Sequence, residues 1–167
     1  MRYRLIILLC IAIFGISCFF QDVALAKLVE LPPYDVGVPS LLVDIPSGWT
    51  EPVRIKRSDF DIYYISNIAN TAGIGIYIGF HPVRFRDRMN DLKVKKEFGN
   101  IDGNPILWFV WQQKYLRHKH YRETLLGGLA PEKPNLLIHI FLRADSEFHM
   151  KKALEIAETL HVRTERR

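Results

Sequence analysis

The sequence predicts an α+β domain: a mainly antiparallel sheet with a C-terminal helix packed on one face, arranged in layers. Three observations predict it. Short apolar runs bounded by Gly, Pro and Asn recur between residues 41 and 142, at strand length rather than helix length. One of them, Ile106–Trp111, is apolar at every position, the mark of a strand covered on both faces. Only the stretch 146–160 repeats its apolar residues at helical spacing.

The first 26 residues precede this domain. Met1-Arg2-Tyr3-Arg4 is basic, and Leu5–Phe20 is an unbroken run of apolar and small residues. Ala24-Leu25-Ala26 then places small residues before Lys27. That order is the build of a bacterial secretory signal peptide, with cleavage expected after Ala26. Two alternatives are weighed. The segment could stay as an anchor helix, although its 16-residue apolar run is short against the ~20 that span a bilayer. Cys18 could instead be acylated, giving a membrane-tied lipoprotein, but Gly15 stands where a branched aliphatic residue is expected. The expected location is therefore periplasmic or secreted.

Removal of 1–26 takes away both cysteines, Cys10 and Cys18. The remaining 141 residues carry 21 basic and 17 acidic side chains. They have no disulfide, thiolate ligand or thiol nucleophile, so the core alone must hold the domain. A chain of that length can bury roughly two-thirds of its surface. The composition, 49% hydrophobic and 25% charged, excludes long-range disorder, collagen-like repeats and a multi-span membrane protein.

Residues 27–40 contain Pro32, Pro33 and Pro39 and are read as an extended lead-in. Residues 41–162 form the single domain, and 163–167 a polar tail. Leu41–Ile45 is a strand, Pro46-Ser47-Gly48 a turn, and Trp49 a plug at the core edge. Phe60–Ile65 is the next strand. In the following one Ile74, Ile76, Ile78 and Phe80 share a face, opposite Gly75, Tyr77 and Gly79. That flat glycine face is expected to lie under a tightly packed helix, or else to floor a groove. Residues 82–91 are either a short helix or an irregular crossing.

Lys93–Phe98 reads as a strand, and Ile101-Asp102-Gly103-Asn104 as a turn. Tyr115–Leu126 is a cationic strand pairing with Ile106–Trp111. Leu136–Leu142 is buried strand. Ser146 or Asp145 caps the helix, whose stripe is Met150, Ala153, Leu154, Ala157 and Leu160. Trp108, Val110, Ile138, Ile140 and Leu154 are expected to be buried together. The lead-in and the region 83–92 are the available cover for the sheet's second face.

Ile45-Pro46-Ser47-Gly48-Trp49 after a strand, Ile101-Asp102-Gly103 before an aromatic strand, and a helix closing on Ala157-Glu158-Thr159-Leu160 occur in an order that resembles the Mog1/PsbP/DcrB-like group of small exported domains. The resemblance covers most of 41–162 and implies an antiparallel sheet with helices on its faces. The group is mostly binding and accessory proteins, so it implies no reaction, and no functional residue carries over.

Chemistry-bearing motifs are few. His118-Lys119-His120 would put two imidazoles on one strand face, which makes His118 and His120 weak metal candidates; a zinc site needs three or four protein ligands and the flanking cations oppose one. His139, inside a buried strand, is expected as a hydrogen-bonded core residue. Asp59 and Asp61 are expected at a solvated edge. No nucleophile elbow, phosphate loop or His-Glu-x-x-His occurs.

Two basic stretches remain, Arg84/Arg86/Arg88 with Lys93/Lys95/Lys96, and Lys114/Arg117/Lys119/Arg122 with Tyr115 and Tyr121. They flank Ile106–Trp111, so Arg84, Arg86, Lys119, Arg122 and Tyr121 are expected on one partner-binding surface. The expected protein is an exported, non-enzymatic binding or accessory module docking an envelope protein or anionic surface, without cofactor or nucleic acid. The alternatives are a periplasmic enzyme on scattered Asp, His and Tyr residues, and a metal-binding protein using His118 and His120.

Overall fold

The computed structural model describes residues 26–84, 93–128 and 133–163. Among these residues ten strands and one helix follow in the order β1 (Lys27–Leu31), β2 (Leu41–Ile45), β3 (Val53–Lys56), β4 (Phe60–Ser66), β5 (Ala72–Gly79), β6 (Lys95–Ile101), β7 (Asn104–Gln112), β8 (His120–Gly127), β9 (Leu137–Ala144), α1 (Glu147–Ala157) and β10 (His161–Val162). Seven of the strands form one antiparallel sheet in the order β3-β4-β5-β9-β8-β7-β6. The other three form a small antiparallel sheet, β1-β2-β10.

Register divides the large sheet into two faces, because side chains alternate along a strand. Ile74, Ile76 and Ile78 stand beside Leu142, Ile140 and Ile138. In β8, Arg122, Thr124 and Leu126 share that face. Here the core forms. Met150, Ala153, Ile156 and Ala157 of α1 pack on it, and Leu31, Leu41 and Val43 of the small sheet join the same buried cluster. The helix begins where Ser146 accepts a hydrogen bond from the His149 amide, a side-chain N-cap.

The lead-in is therefore partly strand. β1 pairs along the whole length of β2, and Pro32 and Pro33 run on across the core face. Tyr63 Oη donates to the Pro32 carbonyl at 2.7 Å, and Arg54 Nη2 to the Pro33 carbonyl at 3.3 Å. The small sheet and the helix thus cover one face together. The lead-in does not cover the second, and the region expected to help it falls mainly outside the described residues.

Among the described residues, aromatic rings rather than a helix lie on the glycine face of β5. The Phe141 ring of β9 lies directly over Gly75, where any Cβ would overlap it. The Tyr77 ring stacks on Phe60 at 5.3 Å between centroids. Aromatic rings from neighbouring strands occupy the space the glycines leave open.

Of the five residues expected in one core, Trp108, Ile138 and Ile140 are buried, whereas Val110 and Leu154 are half-buried at its margin. Ile156 takes the central helical position. Asp61 is not at a solvated edge: it is fully buried, with Oδ2 accepting from Arg54 Nε at 3.1 Å and from Arg54 Nη2. Asp59 is exposed.

Candidate functional site: a lysine-lined cleft beside the sheet edge

Where α1 ends its cover of β9, the core face of β8, β7 and β6 continues past it. A cleft of about 750 Å³ opens there. Its apolar surface comes from Val110, Trp111, Tyr121, Met150 and Leu154. Val110 and Leu154 are half-buried for this reason: each has one side on the core and one on the cleft. Lys93, Lys95, Lys114, Arg122 and Lys151 supply five cations, against the carboxylates of Glu97 and Glu147.

The cations differ in kind. Arg122 donates from Nη1 to Glu97 Oε2 across β7, and its side chain is 17% exposed. It is a fixed part of the wall. Lys93, Lys95, Lys114 and Lys151 are exposed and stand in no ion pair with another described residue. Like charges gathered at a partly enclosed, low-dielectric surface raise the local potential and concentrate anions.

The two basic stretches meet at this cleft, with Arg122 and Tyr121 of the expected residues among its lining. Lys93 and Lys95 bring in the first stretch, Lys114 and Arg122 the second, and Lys151 comes from the helix. Arg84 follows β5 at the end of the sheet marked by Gly79 and Leu137. Lys119, exposed, precedes β8 at the opposite end, where its amide donates to the Ala144 carbonyl. The structure does not bring these two together. Arg86 lies outside the described residues. Tyr121 and Arg122 are successive residues of β8, and both line the cleft. Tyr121 stacks on Trp111 at 5.6 Å between ring centroids.

His118 and His120 do not share a strand face either, because β8 begins only at His120. His118 is buried and its Nε2 lies 3.2 Å from the Asn70 carbonyl. Burial, aided by Arg143 and Arg117, pushes its pKa down. His120 Nδ1 lies 3.4 Å from Gln112 Nε2. Among the described residues no three His, Cys, Asp or Glu side chains come together as metal ligands.

His139 is the buried hydrogen-bonded residue the sequence suggested. Its Nε2 meets Glu123 Oε2 at 3.0 Å, with both side chains 2% exposed. Glu123 was not singled out from sequence. Its signal is only indirect: β8 and β9 pair with Glu123 two residues out of register from His139, which leaves both on one face.

No described helix is long and apolar enough to cross a membrane. Comparison with family models, curated proteins and solved structures finds no match to the chain.

Proposed function

We propose that the protein is an exported, non-enzymatic binding or accessory module of the bacterial envelope, and that it captures an anionic partner in the cleft between α1 and β6–β8. One observation carries the proposal: four lysines from three separate stretches of the chain surround a single cleft without carboxylate partners among the described residues. Lysines that merely kept the protein soluble would have no reason to converge. The basic start, apolar run and Ala24-Leu25-Ala26 support export, and the Ile-Pro-Ser-Gly-Trp turn supports a place beside the Mog1/PsbP/DcrB-like domains.

The test uses a labelled inorganic polyphosphate, an anion without a peptide backbone. Its affinity should fall steeply as salt rises, because charge supplies the attraction. The K93E/K95E/K151E variant should bind at least about tenfold more weakly, equivalent to about 1.4 kcal/mol. Equal binding by both proteins at low salt would end this proposal.

A further inference from the structure

We propose that the cleft's partner is an extended polypeptide with alternating acidic and apolar residues, which adds to the large sheet as a strand beside β6. The inference rests on the anionic-partner proposal and names the partner's chemistry.

β6 is a terminal strand of the seven-stranded sheet. Its hydrogen-bonding pattern follows from the turn that joins it to β7. Asp102 and Gly103 have φ of 53° and 74°, both left-handed, and Ile101 pairs with Asn104 across them. A two-residue turn of this kind makes the flanking pair a hydrogen-bonded one. Ile101, Gly99, Glu97 and Lys95 therefore bond to β7. The amides and carbonyls of Lys96, Phe98 and Asn100 point outward along the edge. Such a row of main-chain groups is a template for another strand.

The two sides of that edge differ in chemistry. On the cleft side stand Lys95, with Lys93 next to it, and Glu97, already engaged by Arg122. On the other side stand Phe98, 92% exposed, and Lys96, whose Nζ lies 5.9 Å from the centroid of the Phe109 ring. A strand added here alternates in the same way, one side chain to the cleft and the next to Phe98. Acidic residues suit the first position and apolar residues the second. Lysines near an edge also discourage pairing with neutral or basic strands, so the residues that attract an acidic strand reject others.

The probe is a labelled eight-residue peptide of alternating Glu and Val, with a Glu₄Val₄ block peptide as control. The full chain should bind the alternating peptide at least about tenfold more tightly than the block. Binding should slow hydrogen exchange at the Lys96, Phe98 and Asn100 amides, and at no comparable set elsewhere. Asn100→Pro, which removes one outward N–H at an edge position that tolerates proline, should weaken the alternating peptide by about tenfold and leave polyphosphate binding unchanged. If the lysine variant loses polyphosphate while Asn100→Pro changes nothing, the anionic cleft stands and strand addition fails. Equal binding of the two peptides, or no protection of the three amides in the wild type, overturns the proposal without need of a variant. Two other results also overturn it: binding to phosphatidylglycerol vesicles with none to either peptide, and a wild-type dimer that Asn100→Pro dissociates, which would give the edge to a second copy.

Discussion

Arg54→Met should destabilise the protein more than Asp61→Asn, although Arg54 is the more exposed partner. The Asp61 side chain is 0% exposed and that of Arg54 28%. Among the described residues Asp61 has a single charged partner in Arg54, and its Oδ1 is buried with no hydrogen bond from them. Arg54 has alternatives: the Pro33 carbonyl, the Tyr63 ring 5.6 Å from its Cζ, and water. Breaking a buried pair costs about 3–5 kcal/mol because one charge is stranded. Asp61→Asn strands the guanidinium, which reaches water, so the low end or below is expected, about 2–3 kcal/mol. Arg54→Met strands the carboxylate where no water reaches, and about 4 kcal/mol is expected. The double variant removes both charges, so its cost should fall short of the sum by about 2 kcal/mol or more. Urea unfolding followed by tryptophan fluorescence measures all four proteins. Additive costs within about 0.5 kcal/mol, or a larger cost for Asp61→Asn, would refute the reasoning.

Burial pushes the Tyr63 hydroxyl up to about 12. A folded pKa above the unfolded one means that the contribution is full below about pH 10 and is lost as pH rises from there towards 12. Tyr63→Phe should therefore flatten part of the decline in unfolding free energy above pH 10, at a cost of about 1 kcal/mol at pH 7 from the lost bond to Pro32. His118 is shifted the other way by burial, so stability should fall as pH drops below about 6.5, and His118→Gln should lessen that fall. Ile156→Ala should cost about 2–5 kcal/mol and Leu154→Ala nearer 1–2, since Leu154 has one side on the cleft; chemical denaturation separates them. Gly75→Ala should cost about 1–3 kcal/mol by forcing the Phe141 ring aside, and Phe141→Leu in the same chain should recover part of it.

The elements with a strong local signal were legible in the sequence. The Ser146 cap and the spacing of Met150, Ala153 and Ala157 locate the helix within a few residues. The alternation from Ile74 to Ile78 gives the correct buried face of β5. What failed depended on partners distant in the chain or on very short elements. β3 is four residues at an edge, and the alternation Val53-Arg54-Ile55-Lys56 was its available signal. β10 is two residues long and exists only because β2 offers an edge. Asp61 is charged, and its burial follows from an arginine across a hairpin and a proline segment lying over both. The cleft was half visible: the basic stretches were evident, but Lys151 reaches them only through the placement of α1.

The strand order sets how fast this chain can fold. The large sheet is two meanders, β3-β4-β5 and β6-β7-β8-β9, each built from neighbours in sequence. Their single seam joins β5 to β9, so that Gly79 finds Leu137 and Ala72 finds Ala144. Each meander can form early from local contacts, but the seam requires closing a long loop, and such closures dominate slow folding. The small sheet waits longer still, because β2 gains its second neighbour only when His161 and Val162 have been made. A chain halted before residue 161 would hold both meanders yet leave one edge of β2 unpaired. Such incomplete chains, with open strand edges, are the species most prone to pair with one another before folding is finished.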